Sequence, residues 1–171
     1  MNGIGTVFVT GVSGVGKTTV ASSLAAALGR VFIDADDLHP AENKAKMGAG
    51  TPLTDDDRWP WLDAVGLAAS RQPSVVACSA LRRRYREYLS TFAPSAVFIH
   101  LDASHEDIAR RIAGRAHEYM PASLLESQLA TLEPLDPDEP GFRVDAATPV
   151  GDLVRAIIVG LENCGARPVG A

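Results

Sequence analysis

Short apolar runs and amphipathic segments alternate along the whole chain. Five runs of four to six mainly apolar residues have the length and composition of strands buried on both faces of a parallel sheet. Between them, apolar residues recur at intervals of three or four, which predicts helices. Strands that alternate with helices predict a single α/β domain, with a five-stranded parallel sheet and helices on both faces. The predicted strands are residues 6–10, 31–34, 74–79, 96–101 and 142–145.

The helix boundaries are predicted from capping and breaking residues. The first helix should stop at Gly29, a common C-terminal signal. Pro60 disfavours an unbroken helix, so residues 54–57 are predicted to form one capped turn and residues 60–70 a separate helix. The acidic, Pro-rich stretch 133–141 is predicted to be a loop without a chemical role. Other helices are predicted after Pro40, after Ser104, over 121–132 and after Pro149.

The composition limits the possible functions. A chain of 171 residues can bury a substantial core as one domain. Its net charge of −5 argues against a nucleic-acid partner, which would need a basic patch. Cys78 and Cys164 lack metal or redox spacing, and neither a signal peptide nor an apolar run of about 18 residues is present. We therefore expect a cytoplasmic protein with reduced thiols and no membrane partner.

A glycine-rich loop lies between the first predicted strand and the first predicted helix. It has two glycines separated by four residues, followed by Lys and Thr, the pattern that cradles phosphates. Backbone N–H groups at a helix N-terminus would bind a polyphosphate such as that of ATP. Lys17 would reach the β- and γ-phosphates, and the Thr18 hydroxyl would bind Mg²⁺. The predicted nucleotide-binding residues are Gly11, Val12, Ser13, Gly14, Val15, Gly16, Lys17, Thr18 and Thr19.

Acidic residues follow the second predicted strand, at the sheet edge where open α/β proteins bind ligands. Asp34 is predicted to contact the Mg²⁺ water shell, and Asp36 to orient or deprotonate an acceptor hydroxyl. His39 should face the same site. The acceptor insert, residues 36–60, has few large apolar side chains, which favours a small polar acceptor over a nucleotide.

Basic residues are available for an anionic group on such an acceptor. Lys44, Arg58 or Arg82 would suit one carboxylate or phosphate. Four arginines lie within residues 82–86, and of these Arg82 and Arg86 are expected to point at anions.

A later segment has the pattern of a lid. Arg111 and Arg115 are four residues apart and share one helix face, which suits phosphate oxygens or a purine. The helical pattern breaks over 114–121 and then resumes, which predicts a mobile lid that excludes water. A plain helical hairpin at the surface is the alternative.

Two classes of phosphate-loop protein are disfavoured. A GTPase would need Asn-Lys-x-Asp, and the sequence Asn43-Lys44-Ala45-Lys46 lacks the Asp. A motor ATPase would normally have a strand that ends in an acid, but the third strand ends in Cys78-Ser79. A small phosphotransferase fits the pattern better.

Several longer motifs of the chain are similar to those of one protein family. The chain resembles the bacterial gluconokinases over roughly residues 5–160. One difference lies in the lid, where His117-Glu118-Tyr119 precede Met120-Pro121 and the family usually has Gly-His-Phe. The matching blocks are Asp34-Ala35-Asp36-Asp37-Leu38-His39-Pro40, Asn43-Lys44-Ala45-Lys46-Met47, Gly50-Thr51-Pro52-Leu53-Thr54-Asp55-Asp56-Asp57-Arg58, Pro60-Trp61-Leu62, Cys78-Ser79-Ala80-Leu81, Tyr85-Arg86, Leu124-Leu125-Glu126-Ser127-Gln128 and Thr131-Leu132-Glu133-Pro134.

The resemblance implies a reaction and a fold. It implies ATP- and Mg²⁺-dependent phosphorylation of the 6-hydroxyl of D-gluconate, on a phosphate-loop, three-layer fold similar to nucleoside monophosphate kinases and shikimate kinase, usually as a homodimer. Similarity of residues 111–115 to the adenylate-kinase lid implies that Arg111 stacks on adenine and that Arg115 meets phosphate, as a catalytic residue with Lys17 and Asp36. Two alternatives remain at this point: a shikimate kinase-like enzyme for another small polyol or acid, and a non-catalytic nucleotide-binding regulator.

Overall fold

The computed structural model describes residues 4–113 and 122–165. In these residues, strands and helices alternate as the sequence predicts, and a short 3-10 turn covers Ala35–Leu38. The strands are β1 (Val7–Thr10), β2 (Val31–Asp34), β3 (Ser74–Ala77), β4 (Val97–Asp102) and β5 (Gly141–Asp145). The helices are α1 (Lys17–Leu28), α2 (Ala41–Gly48), α3 (Asp55–Ser70), α4 (Arg83–Phe92), α5 (His105–Ala113), α6 (Ala122–Thr131) and α7 (Val150–Gly165).

The five strands form one sheet in the order β2-β3-β1-β4-β5, and every neighbouring pair is parallel. In the centre of the sheet, Val9 of β1 is paired with Ala77 of β3 on one side and with Ile99 of β4 on the other. All carboxyl ends of the strands therefore lie along one edge of the sheet. The predicted five-stranded parallel sheet is confirmed.

Alternate residues of β1 contribute to two different cores. Val7 and Val9 belong to a hydrophobic cluster that includes α1 and α7, whereas Phe8 belongs to a cluster that includes α3 and α4. Phe8 also stacks on Phe98 of β4, with 5.1 Å between the ring centroids. Because side chains alternate across a strand, the two clusters lie on opposite faces of the sheet. This is the predicted three-layer arrangement.

Helix α3 is unbroken from Asp55 to Ser70, so the predicted break at Pro60 is wrong. Thr54 and Asp57 form a reciprocal capping box at its N-terminus. Pro60 lies in the second turn and removes one backbone hydrogen bond, at a cost of about 3 kcal/mol. Trp61 follows it at 1% exposure, and burial of this large side chain offsets that cost.

Other boundaries differ from the predictions by one or two residues. Strand β3 ends at Ala77 rather than at residue 79, although the N–H of Cys78 still bonds to the carbonyl of Val9 at 3.1 Å. Gly29 ends α1 in the left-handed conformation, as predicted. His100 is buried in β4, and its ring bonds to the hydroxyl of Thr10 at 3.2 Å.

None of the helices in residues 4–113 and 122–165 combines the length and the apolar character needed to cross a bilayer. Both cysteines are free thiols.

Candidate active site

The loop between β1 and α1 depends on glycine at several positions. Gly11, Gly14 and Gly16 have positive φ angles of 137°, 80° and 106°, which side chains disfavour. At Gly11 a side chain would also be crowded, since a Cβ would lie 3.0 Å from the carbonyl oxygen of Leu101. Gly16 is the N-cap of α1 and makes no side-chain cap. A helix N-terminus of this kind presents its N–H groups to an anion.

This loop lies where the strand order reverses. The chain passes from β1 to β2 and β3 on one side and then crosses to β4 on the other side of β1. In open α/β sheets, ligands bind in the crevice at this reversal, beyond the carboxyl ends of the strands. The loop is also bonded to the segment that follows β3, because the N–H of Gly11 donates to the carbonyl of Ser79 at 3.4 Å.

Lys17 and two carboxylates lie around the end of β3. The Lys17 ammonium donates to the carbonyl oxygen of Val12 at 3.0 Å. Burial is the main reason that the pKa of the Cys78 thiol is raised to about 12; Asp36 and Asp34 contribute to the increase, and Lys17 opposes it. In the sheet, Asp34 is paired with Ala77, the residue before Cys78. The buried thiol thus has Lys17, Asp34 and Asp36 as charged neighbours.

Asp34 links the phosphate loop to the segment that follows β2. Its Oδ2 accepts a hydrogen bond from the Thr18 hydroxyl at 3.0 Å. Its Oδ1 accepts one from the backbone N–H of Asp36 at 3.1 Å and caps the 3-10 turn. A hydroxyl and a carboxylate are the hard oxygen donors that suit Mg²⁺, so this pair fits the implied metal.

The 3-10 turn after Asp34 is fixed by packing against α3. The indole N–H of Trp61 donates to the carbonyl of Ala35 at 2.7 Å. The His39 ring stacks on the Trp61 ring, with 4.3 Å between centroids. Burial, followed by the charges of Lys44 and Arg58, lowers the pKa of His39 to about 4. His39 is therefore a neutral, packed side chain at pH 7, and its predicted contact with substrate stays a prediction.

Lys44 and Arg58, which were predicted to bind the acceptor substrate, both lower the pKa of His39 through their charges. The Lys44 ammonium donates to the carbonyl of Asp37 at 3.0 Å. The Arg58 guanidinium donates to the Tyr85 hydroxyl at 3.5 Å and lies 5.8 Å from the centre of that ring. Lys44 is thus folded onto the 3-10 turn, whereas Arg58 is directed towards α4.

Tyr85 and Asp55 organise the arginines here, and sequence reasoning assigned neither a role. The Tyr85 hydroxyl and Arg84 both donate to the Asp55 carboxylate. Arg82 lies 3.6 Å from the same carboxylate. Burial and the bond to Asp55 raise the pKa of Tyr85. In the sequence, Asp55 and Tyr85 stand out only because they lie within blocks that resemble the bacterial gluconokinases.

Arg86 is not directed at a ligand, so that expectation is wrong. The residue is 1% exposed, and its guanidinium forms a bidentate pair with Glu139, at 2.6 and 2.7 Å. It also donates to the carbonyl of Ala80 at 3.2 Å, where φ is 37°. Residues 133–141 therefore have a structural role that the sequence did not reveal. Arg86 binds the turn before Arg82 to this loop.

The helices on either side of residues 114–121 both contact the phosphate loop. Arg111 of α5 donates to the carbonyl of Val15 at 2.7 Å and to that of Ala146 at 2.5 Å. Gln128 of α6 bonds to Ser13 and was not predicted as a site residue. Arg115 and the predicted lid, 114–121, lie outside the described residues.

Comparison with known proteins identifies the family. A profile described as an AAA domain matches residues 7–135. The gluconokinase of Gluconobacter oxydans is 49% identical over 141 residues, which cover 80% of this chain and 79% of that protein. A probable gluconokinase of Xenopus tropicalis is 40% identical, with coverage of 88% and 90%. The chain belongs to the gluconokinase family.

Solved structures agree with the membership in the gluconokinase family. The crystal structure of a gluconokinase from Sinorhizobium meliloti 1021 has a TM-score of 0.90 and 44% identity, and covers 96% of this chain and 95% of its own. Shikimate kinase from Aquifex aeolicus has a TM-score of 0.64 at 17% identity, with coverage of 94% and 98%, which shows a shared fold alone. The predicted phosphate-loop kinase fold is thus confirmed.

Proposed function

We propose that this member of the gluconokinase family transfers the γ-phosphoryl group of ATP to the 6-hydroxyl of D-gluconate. The main support is the combination, at one sheet edge, of a glycine-rich phosphate loop with Asp34 and Asp36 at the end of β2. A phosphate donor and a hydroxyl acceptor can meet in such a crevice. Relatives named gluconokinase support gluconate as the acceptor.

The nucleotide is assigned to the loop and its neighbours. Residues 11–19 would bind the polyphosphate, mainly through backbone N–H groups other than those of Gly11 and Ser13, which bond to Ser79 and Gln128. Lys17 would neutralise charge on the β- and γ-phosphates. Arg111, which contacts Val15 in the loop, would bind the nucleotide together with Arg115. Transfer of a phosphoryl group depends mainly on position and charge, so these cations would supply most of the catalysis.

Mg²⁺ is assigned to Thr18 and Asp34. Their oxygens are already joined by a hydrogen bond of 3.0 Å, and both are donors that hard cations prefer. When bound, the ion would neutralise the charge that develops on the phosphate oxygens.

Asp36 is assigned to the acceptor. In the step we propose, the gluconate 6-oxygen forms a bond to the γ-phosphorus as the bond from that phosphorus to the β–γ bridging oxygen breaks. The hydroxyl proton passes to the Asp36 carboxylate or to water that this carboxylate orients, and ADP leaves with the electron pair. Because the transition state is loose, the position of the hydroxyl matters more than the strength of the base.

The gluconate carboxylate is assigned to the arginines around Tyr85. The Arg58 guanidinium donates to the Tyr85 hydroxyl, and the Arg82 guanidinium lies 3.6 Å from the Asp55 carboxylate to which this hydroxyl donates. Two guanidinium groups that suit a carboxylate are therefore close together. Lys44 is a weaker candidate, since its ammonium is bonded to the carbonyl of Asp37. His39 is neutral at pH 7 and would contribute a hydrogen bond to the polyol rather than a charge.

A coupled assay for ADP release tests the function. Purified protein with ATP and Mg²⁺ is supplied with D-gluconate, shikimate and a panel of other sugar acids. We expect the highest kcat/KM with D-gluconate and a product heavier than gluconate by one phosphoryl group. Preference for shikimate would support the alternative acceptor. Binding of ATP without acceptor-dependent ADP release would identify a nucleotide-binding regulator.

Two further proposals come from the family resemblance. We infer a homodimer, and light scattering after size-exclusion chromatography checks it by comparing the molar mass with twice 18.0 kDa. We also infer that residues 114–121 act as a lid, which predicts that ATP and gluconate together reduce proteolytic cleavage in this segment.

A further inference from the structure

Gln128 makes a two-bond contact with one residue of the phosphate loop. Its Oε1 accepts a hydrogen bond from the backbone N–H of Ser13 at 2.7 Å, and its Nε2 donates to the Ser13 hydroxyl at 2.9 Å. These two bonds use both ends of the carboxamide, so they fix its orientation. Both residues are partly buried, which strengthens such bonds relative to exposed ones.

The contact joins the loop to an element remote in sequence. Ser13 is the third residue of the loop, and Gln128 lies 115 residues later in α6. On the other side, Arg111 of α5 holds Val15. The loop is thus held by a cationic side chain and by an uncharged side chain, from the two helices that precede and follow residues 114–121.

We propose that Gln128 is a further positioning residue of the nucleotide site, and that the site requires an uncharged side chain there. Because Gln128 contacts a residue of the loop that would bind the polyphosphate, a negative charge at residue 128 would repel the phosphates. The inference relies on the proposed function only in taking ATP as the ligand of the loop.

Two variants separate this role from a purely structural one. Gln128→Ala removes both bonds to Ser13. Gln128→Glu keeps them in altered form, since a carboxylate accepts from the Ser13 N–H and from its hydroxyl, but it adds a charge. Loss of one or two hydrogen bonds corresponds to about 3- to 10-fold in affinity. Repulsion between a carboxylate and a nearby phosphate adds about tenfold or more in a partly buried site.

The test is titration of each protein with ATP and with ADP, without any acceptor. We expect Gln128→Ala to bind both nucleotides about 3- to 10-fold more weakly. Gln128→Glu should bind ATP more weakly still. Its affinity for ADP should fall less, because ADP carries less charge, and its affinity for ATP should recover partly at high salt. Its melting temperature should stay at least as high as that of Gln128→Ala.

Ala130→Glu is the matched control, because it adds the same charge to an exposed position of the same helix. It should bind ATP as the wild type does. The proposal is overturned if Gln128→Glu binds ATP as tightly as the wild type or more tightly than Gln128→Ala, or if Ala130→Glu weakens binding equally. Because no acceptor is used, wild-type protein that binds ATP but does not phosphorylate gluconate would contradict only the proposed function.

Discussion

The hydroxyl of Thr18 donates a hydrogen bond to Oδ2 of Asp34 across 3.0 Å. This bond joins the first turn of α1 to the end of β2. The other oxygen of the same carboxylate accepts from the N–H of Asp36. The Asp34 side chain therefore connects Thr18, which is assigned to the metal, with Asp36, which is assigned to the acceptor. A change at Asp34 should affect both residues.

Asp34→Asn should increase the Mg²⁺ concentration needed for half-maximal activity by about tenfold or more, because a neutral amide attracts a hard cation and its bound water less strongly than a carboxylate does. The measurement is the rate of gluconate phosphorylation at fixed ATP over a series of Mg²⁺ concentrations. Asp152→Asn is the control, since this exposed acid of α7 pairs with Arg155. An unchanged Mg²⁺ dependence in Asp34→Asn would remove Asp34 from the metal site.

Lys17→Ala should reduce kcat by about 10²-fold or more, because its ammonium would act on charge that grows during transfer. The fold should persist, since the bond from Lys17 to the Val12 carbonyl lies within the loop and Lys17 belongs to neither hydrophobic cluster. Circular dichroism and the coupled assay check both points. A variant with an unchanged spectrum and near-normal kcat would contradict the assignment of the phosphate loop.

Arg111→Ala should raise the KM for ATP more than the KM for gluconate. Its guanidinium holds the Val15 carbonyl of the loop and the Ala146 carbonyl, so its loss disturbs the nucleotide side of the site. Arg110→Ala is the matched control, because Arg110 is adjacent in sequence, its side chain is 73% exposed and it pairs with Asp107. If Arg111→Ala changes only the KM for gluconate, Arg111 belongs to the acceptor side.

The parts of the site carried by consecutive residues could be predicted from sequence. The glycines, Lys17 and Thr18 follow one another, and local geometry alone gives them a common function. Contacts between distant residues could not be predicted in this way. Ser13 and Gln128 are 115 positions apart, and Arg86 and Glu139 are 53 apart, so neither pair leaves a local pattern.

Pro60 shows how tertiary packing can override a local rule. The rule that a proline disfavours the helix before it is correct for an isolated segment. Here the capping box at Thr54 stabilises the first turn, and Trp61 fills the core next to the 3-10 turn. The capping box is local, but the packing of Trp61 depends on Ala35, which is remote from α3 in sequence, so the sequence of the helix alone does not reveal it.

Stability should decrease as the pH falls from about 6.5 towards 4. Burial lowers the pKa values of His39 and His100 to about 4 in the folded protein. The unfolded chain binds protons at these histidines nearer pH 6.5, so protonation between the two values favours unfolding. Urea unfolding at pH 7 and pH 5 measures the change. His100→Asn should reduce the difference between the two midpoints, and an unchanged difference would exclude His100 as a contributor.

Asp36→Asn should lower kcat for gluconate by about 10²- to 10⁴-fold, the usual contribution of a general base, while ATP affinity changes little. The substitution keeps the size of the side chain and one oxygen acceptor but removes the charge. The backbone N–H of Asp36 bonds to Asp34, a contact that the variant retains. Asp37→Asn is the control, since it makes the same change at the adjacent exposed residue. Coupled turnover and nucleotide titration are measured for both variants. Equal kcat in wild type and Asp36→Asn, or a larger loss in Asp37→Asn, would show that the acceptor hydroxyl is oriented by a different carboxylate.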